Sequence, residues 1–348
     1  MLLVIEDTLI LCCGLRSIGG CVGKVRRWLI GIVIGVFGLV VVFWGVQPER
    51  MLTVLSKARL GYLLPAELVL VAGLVARAIS WRILLAEKLQ LRKVFDIINV
   101  GYLLNAVLPF RIGEVGRAYL MSQGQSISAP QTFGTIVVER FLDISISFSA
   151  LLIVLPSVVN PEWTNNLLFG VGIGIILLIG GSFILLRGRQ SILRIMQRFS
   201  RFGLKRLVGV TEDFISGLEA FGRPKVILRA AFWSFLAWAC VWLHLWFLLR
   251  FIGSPGPIPV LLFVSSVIAF GVALPSSPGA IGVFEFAAVA GFLIMGYARE
   301  TALSVAIVWH GLLLMNTALF GGWALAREGS SILGLASKAQ SLMQNNQS

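Results

Sequence analysis

Long apolar stretches alternate with short polar or basic segments along almost the whole chain. About 20 apolar residues are enough to cross the hydrocarbon core of a bilayer as a helix, and six stretches approach or reach that length. They are residues 28–46, 61–81, 141–158, 167–186, 230–249 and 301–325. Two further apolar regions are interrupted by proline and glycine. The pattern predicts an all-α polytopic membrane protein with about six full spans and two broken or re-entrant helix pairs.

The two interrupted regions contain the same sequence motif, L-P-x-x-x-G-x-x-G, at residues 108–116 and 274–282. Proline removes a backbone donor and stops a helix, and glycine permits sharp turns. Breaks at corresponding positions of two halves are typical of a transport site. Since the chain contains 37 glycines, chance repetition is the alternative. The predicted helix-break residues are Pro109, Gly113, Gly116, Pro275, Gly279 and Gly282.

The helices on either side of each break set the expected topology. Residues 97–108 and 112–121 are each too short to cross about 30 Å of hydrocarbon, so we interpret them as a hairpin that enters from the cytoplasm. Residues 260–274 and 279–297 are longer and could be two full spans. Counting spans from a cytoplasmic N-terminus, the second pair starts from the outer side. The two motifs would then form an inverted repeat whose breaks meet near the midplane of the bilayer, as is typical of alternating-access transporters.

Basic residues indicate which segments face the cytoplasm, because Lys and Arg accumulate there. The chain has a net charge of +13, although only 13% of its residues are charged, about half the fraction of a soluble domain. Anionic lipid headgroups account for this positive charge, and we expect no nucleic-acid partner. Residues 187–229 carry ten Lys and Arg. Within them, residues 187–225 have the pattern of basic amphipathic helices on the inner leaflet.

The same pattern divides the chain into three parts. Residues 1–23 are an N-terminal lead that is either interfacial or disordered, and residues 24–326 form the transmembrane domain. Residues 327–348 form a cytoplasmic tail. We expect a multi-pass protein of the cell inner membrane with both termini in the cytoplasm.

The densest charged group inside the apolar regions is Arg111, Glu114 and Arg117, around the first break. A charged side chain inside a span costs about 2.5–3.5 kcal/mol on insertion scales. Such a side chain is therefore expected to be paired, hydrated or functional. One positive charge is in excess, and a helix start offers free N–H groups, which together suit an anion such as a phosphate. Glu114 and Arg117 are three residues apart and can pair. The alternative interpretation is therefore an ion pair that holds the hairpin together and binds no ligand.

A second charged group, Glu139, Arg140 and Asp143, lies at the start of the predicted span 141–158. Its functional interpretation pairs Arg140 with Glu114 or makes Asp143 a proton carrier. The alternative is an interfacial charge cluster at the end of a span.

Glu285 stands almost alone in its apolar segment, ten residues after the second proline. An unpaired buried carboxylate is a candidate for carrying protons, and a bond to the mid-span Arg77 is the alternative. His244 and His310 are the only histidines, and we interpret both as hydrogen-bonded packing residues. The four cysteines have no metal-ligand spacing, so we expect no metal and no cofactor.

Three runs resemble those of a known family: N-A-V-L-P-F-R-I-G-E-V-G-R at 105–117, E-R-F-L-D at 139–143 and P-S-S-P-G-A-I-G-V-F-E at 275–285. Together they are similar to the flippase-like membrane domain of the lysylphosphatidylglycerol synthase transmembrane family, over about residues 25–326. The resemblance implies re-entrant helices and the movement of lipid-linked or aminoacylated lipids between leaflets. Phe110 departs from the glycine that usually follows the first proline. The aminoacyl-transferase domain of full-length synthases has no counterpart, so we do not expect lipid lysylation.

These observations lead to the hypothesis of a flippase-like lipid translocase that is not an enzyme, because no catalytic or nucleotide-binding motif is present. Its expected partners are membrane lipids with anionic headgroups. The residues predicted to bind the headgroup are Arg111, Arg117 and Arg140. Those predicted to balance charge or couple protons are Glu114, Glu139, Asp143 and Glu285. A membrane-embedded transferase acting on a lipid carrier, and a scaffold for a separate cytoplasmic lipid-modifying enzyme, are the alternatives.

Overall fold

The computed structural model describes residues 33, 35–87, 89–108, 111–123, 127–158, 205–273 and 277–327. All regular secondary structure in these residues is helical. Several predictions fall outside them: the lead at 1–23, the span at 167–186, the basic residues before 205, the tail from 328, and the two break residues Pro109 and Pro275.

Twelve helices follow one another in the described residues. They are α1 (Gly35–Phe43), α2 (Pro48–Ser56), α3 (Leu63–Leu84), α4 (Leu91–Val107), α5 (Gly113–Ser122), α6 (Ala129–Val158), α7 (Lys205–Gly217), α8 (Pro224–Phe251), α9 (Ile258–Ala273), α10 (Val283–Ile294), α11 (Arg299–Asn316) and α12 (Gly322–Arg327). Short 3-10 turns occupy Leu60–Tyr62, Leu218–Gly222 and Pro278–Ala280, and a π turn at Thr317–Gly321 joins α11 to α12.

Three helical stretches of the described chain are long and apolar enough to cross a membrane: Leu60–Leu84, Pro224–Phe251 and Arg299–Arg327. Helices α1 and α2 meet the same test only together, and they are bent by 85°. The described part of the predicted span 28–46 is helical as far as Phe43, and the bend lies at its predicted end. The bend follows from Gly45, which has a φ of 76°, and from Pro48, which starts α2. The described residues thus contain three or four such spans, and the six predicted for the whole chain are not confirmed.

The predicted span 141–158 is the second half of a longer helix. Helix α6 has 30 residues, about 45 Å at 1.5 Å per residue. The group Glu139, Arg140 and Asp143 therefore lies near the middle of a helix rather than at a helix end, and the interpretation as an interfacial cluster at a span end stays a prediction.

The two broken regions form antiparallel helical hairpins, α4 with α5 and α9 with α10. In the first, a Cβ on Gly101 would meet the side chain of Arg117, and one on Gly116 would meet Leu104. In the second, a Cβ on Gly271 would lie 2.9 Å from the Cβ of Ala287. Since α9 and α10 have 16 and 12 residues, the second pair is also a hairpin of short helices.

The tips of the two hairpins meet. The carbonyl oxygen of Ala106, at the end of α4, would lie 3.4 Å from a Cβ on Gly279, in the turn between α9 and α10. Gly279 and Gly282 have φ values of 65° and 89°, so they break the helix as predicted. Gly113 and Gly116 instead lie within α5, where their missing side chains let α4 approach.

Helix α1 packs directly against the second break. A Cβ on Gly35 would lie 2.7 Å from the Ile281 oxygen, and one on Gly38 would lie 2.7 Å from the Gly282 oxygen. At the other end of α1, Arg299 donates a hydrogen bond to the carbonyl of Trp44 at 2.9 Å. Small residues permit such close approach of helices in membranes.

The described part of the basic segment packs on protein. On α7 and the turn after it, Phe214 and Phe221 contact Phe133 and Phe141 of α6, with ring centroids 6.3 and 5.1 Å apart. Gly134 of α6 closely approaches the backbone of the same segment. These two apolar side chains, both partly buried, therefore pack on α6, and the placement of the basic helices on the inner leaflet stays a prediction.

Candidate functional site

A cavity of about 590 Å³ lies between the two hairpin tips and helices α3, α6, α8 and α11. This volume falls within the usual range of small-molecule sites, about 300–1,000 Å³. Its lining is largely apolar, with a compact set of charged side chains. The charged residues of the lining are Arg77, Arg111, Glu114, Arg140 and Asp143.

A buried ion-pair network forms the wall on α6. Glu139 and Asp143 are four residues apart on this helix and so share a face. Arg77 of α3 lies 2.6 Å from Asp143, and Arg140 lies 2.7 Å from Glu139 and 3.3 Å from Asp143. Arg117 of α5 lies 2.7 Å from Glu139. Three guanidinium groups thus meet two carboxylates, which gives the network a formal charge of +1.

Arg117 lies behind the network and does not line the cavity. Its side chain is 2% exposed, donates to Glu139 and stacks over the ring of Trp81 at 4.0 Å. The predicted pairing with Glu114 is therefore wrong, since α5 directs Arg117 toward α6. In this arrangement Arg117 positions Glu139 and is not placed to contact a headgroup.

Arg111 and Glu114 line the cavity beside the first break. The Arg111 side chain is 36% exposed, and its Nε lies 3.7 Å from a Glu114 oxygen, beyond hydrogen-bonding distance. Asn105 accepts a 2.7 Å bond from the Gly113 N–H and thereby connects the end of α4 to the start of α5. The sequence interpretation did not assign this role to Asn105. Arg111 is the most exposed arginine of the lining and the most weakly paired.

The partners of Arg140 and Arg77 differ from those predicted. Arg140 bonds Glu139 and Asp143 rather than Glu114. Arg77, considered above as a partner of Glu285, instead bonds Asp143, which also accepts a 3.1 Å bond from the Trp238 indole N–H. Arg77 belongs to the candidate site, and its position as a single mid-span arginine was the available signal.

Glu285 is not alone, because it has a partner on α11. Its Oε1 lies 2.6 Å from Nδ1 of His310, and its Oε2 accepts a 2.7 Å bond from the Gly282 N–H. Nε2 of His310 lies 2.9 Å from the Gly279 oxygen, and Phe284 stacks on the imidazole. His310 therefore connects α10, α11 and the turn of the second break, and both of its ring nitrogens face acceptors.

His244 lies on the α8 wall of the cavity. Its Nδ1 bonds the Ala66 carbonyl of α3 at 2.9 Å, and the residue is fully buried. Both histidines are thus hydrogen-bonded, as predicted. Both also line the cavity, which the prediction of packing residues did not include.

A sequence profile for the lysylphosphatidylglycerol synthase TM region matches residues 28–321, more than four-fifths of the chain. The chain belongs to this family. All residues that line the cavity lie inside the matched range.

Two curated proteins give further comparisons. The chain is similar to Glycosyltransferase AglD of Haloferax volcanii, with 25% identity over 293 residues, which are 74% of this chain and 47% of that protein. The chain thus spans about half the length of this relative. It is also similar to a UPF0104 membrane protein of Methanocaldococcus jannaschii, with 24% identity over 222 residues, which are 63% of this chain and 91% of that protein. No solved structure gives a significant match.

Family membership confirms the resemblance drawn from the three runs at 105–117, 139–143 and 275–285, all of which lie inside the matched range. Together with the apolar helices, it establishes a membrane protein of the lysylphosphatidylglycerol synthase TM region family.

Proposed function

We propose that this protein is a translocase that moves a lipid with an anionic headgroup between the leaflets of the cell inner membrane. One observation carries the proposal: the two hairpin tips enclose a cavity whose charged lining has three arginines and two carboxylates. An anion entering it would neutralise the excess positive charge. The apolar remainder of the wall suits a ligand that is attached to lipid tails.

The arginines of the cavity lining would have different roles in binding the lipid phosphate. Arg111, weakly paired and the most exposed, would donate to the phosphate oxygens together with Arg140. A planar guanidinium can donate two parallel bonds to phosphate, which fixes its orientation as well as its position. Glu139 and Asp143 would hold Arg77 and Arg140 in place, so that the buried site is formed before the lipid enters.

The two hairpins would supply alternating access. Hairpins that enter from opposite faces and touch at their tips form a barrier that can open on either side. At the second break, Glu285 accepts bonds from both His310 and the Gly282 N–H. Protonation of Glu285 would weaken both bonds and loosen the break, so this pair would couple proton movement to opening.

Leaflet transfer in reconstituted vesicles tests this proposal. Vesicles containing a fluorescent phosphatidylglycerol are treated with an impermeant quencher, and the protected fraction of the label reports transfer. We expect Arg111→Ala and Glu285→Gln to reduce the rate at least tenfold while the variants stay folded. Arg250→Ala is the matched control, because Arg250 stacks on Trp246 and does not line the cavity. Normal transfer in both site variants would overturn the assignment.

A membrane-embedded transferase acting on a lipid carrier is the second candidate, because the Haloferax relative is named a glycosyltransferase. The chain matches about half of that protein, so the named activity does not transfer with the match. Incubating the purified protein with a polyprenyl phosphate and a sugar nucleotide distinguishes the two proposals. A chemically altered lipid in the mass spectrum would favour the transferase, whereas leaflet transfer of an unaltered lipid favours the translocase.

A further inference from the structure

Four buried polar atoms in side chains that line the cavity have no protein partner: Nε of Arg140, which belongs to the ion-pair network, and three atoms outside that network. The three outside the network are Oδ1 of Asn99 on α4, Oγ of Ser147 on α6 and Nε2 of His244 on α8. The three residues are 1%, 2% and 0% exposed. Buried polar atoms in native proteins are nearly always hydrogen-bonded, so three unpaired atoms around one cavity require an explanation.

The other bonds of these side chains determine what the free atoms can do. Nδ1 of His244 faces a carbonyl oxygen, that of Ala66, and so must carry the proton. The neutral ring then presents a lone pair at Nε2. Asn99 donates through Nδ2 to the Phe95 carbonyl at 2.8 Å, which leaves Oδ1 as an acceptor. Both atoms therefore require a hydrogen-bond donor.

His244 lies at a different level of the cavity from the ion-pair network, as the residue spacing along α8 and α3 shows. It follows Trp238, which donates to Asp143, by six residues on α8, a rise of about 9 Å. Its partner Ala66 precedes Arg77 by eleven residues on α3, a rise of about 16 Å. From these two rises we infer that a bare phosphate bound at Arg77 and Arg140 does not reach His244. A phosphate that carries a further polar group can bridge the distance, with a hydrogen bond of about 3 Å at each end.

Ser147 lies between these two regions. It is one helical turn after Asp143 on α6, and its carbonyl accepts a 2.7 Å bond from Ser266 of α9. The indoles of Trp238 and Trp309 line the same cavity. Their flat apolar faces suit the C–H groups of a glycerol or sugar unit.

We propose that His244, together with Ser147 and Asn99, forms a second subsite that recognises hydroxyl groups on the headgroup beyond the phosphate. The ligand class is a phosphodiester lipid with a hydroxylated headgroup, and this inference rests on the proposed translocase function. An ammonium group would also donate to Nε2, but the network of charge +1 on the neighbouring wall opposes it. Phosphatidylglycerol and a glycosyl phosphate on a polyprenyl carrier share the required chemistry.

Lipid binding to the full chain in detergent micelles tests this inference. The probes are phosphatidylglycerol, a glucosyl polyprenyl phosphate and phosphatidylmethanol, which keeps the charged phosphodiester but has no hydroxyl group. We expect one or both hydroxylated lipids to bind about tenfold more tightly than phosphatidylmethanol, the effect of one good hydrogen bond. Which of the two binds more tightly identifies the source of the headgroup.

The variants assign the preference to the subsite. His244→Phe should remove the tenfold preference while leaving phosphatidylmethanol binding unchanged, and His244→Gln, which keeps an acceptor, should retain part of it. Arg111→Ala should weaken all three lipids alike. Equal binding of all three lipids to the unmodified protein would overturn the second subsite alone, and that comparison needs no variant to fold. Failure of every lipid to bind would overturn the proposed function as well.

Discussion

Replacing Arg117 by methionine should destabilise the protein through Glu139 rather than through lost lipid contacts. Methionine keeps most of the apolar stem that packs on Trp81, so the main change is the lost guanidinium. Arg117 and Glu139 are 2.7 Å apart, with side chains 2% and 1% exposed. Removing one partner of such a buried pair typically costs 3–5 kcal/mol.

The expected cost lies at the lower end of that range, because two other guanidinium groups still face Glu139. Arg140 lies 2.7 Å and Arg77 lies 3.4 Å from the same carboxylate oxygen. We therefore expect a loss of about 3 kcal/mol in the free energy of unfolding, about a hundredfold in the equilibrium constant. Tryptophan fluorescence during unfolding in mixed micelles of increasing SDS fraction measures this quantity.

Two further variants make the measurement decisive. Arg111→Met removes a weakly paired, 36% exposed side chain and should change the free energy of unfolding by no more than about 0.5 kcal/mol. The double variant Arg117→Met with Glu139→Gln should be less destabilised than the sum of the single variants, because the two residues are coupled. If Arg117→Met unfolds like the unmodified protein yet loses lipid transfer, Arg117 acts on the lipid and the structural interpretation is refuted.

Three other predictions concern the second break, α1 and the cavity. Gly282→Ala should cost at least about 3 kcal/mol in the same unfolding assay, because φ is 89° and the added Cβ would overlap the Gly35 oxygen. The control Gly253→Ala has a similar φ of 78° but open space around the added Cβ, so it should cost about 1–2 kcal/mol. Equal losses would remove the contact between α1 and the break as the cause. Arg299→Ala should speed backbone hydrogen exchange in α1, whereas unchanged exchange would show that its carbonyl bonds do not hold the helix. Cys240 lines the cavity, so, with the other three cysteines replaced by serine, phosphatidylglycerol should slow its reaction with a maleimide; an unaffected rate would contradict lipid binding there.

Residue patterns were sufficient to predict the helical membrane class and both broken regions, because these depend on local properties. Hydrophobic length identifies a helix that can cross the bilayer, and a proline followed by glycines interrupts it whatever surrounds it. The bend between α1 and α2 was missed because Gly45 and Pro48 come at the very end of an apolar stretch, where a straight span would also stop.

The charged residues of the cavity were also largely identifiable, but their pairing was not. Arg77 bonds Asp143 across 66 positions of the chain, and Glu285 bonds His310 across 25. Such pairs form only when separate helices pack, and every apolar stretch offers several helical faces with no signal for which one meets which neighbour. A local pair of Glu114 with Arg117 was the alternative interpretation at the first break, yet Arg117 turns toward α6 and bonds Glu139.

The contact between Gly35 and the turn at Gly282 has a mechanical consequence. Backbone touches backbone there, with no flexible side chain between them to absorb a displacement. Tilting of α10 toward α1 must therefore displace α1, and we expect the two to move together in the proposed transport cycle. Anchoring α1 to a fixed neighbour, for example by a cross-link, would stop the second hairpin without touching any residue of the lipid pathway.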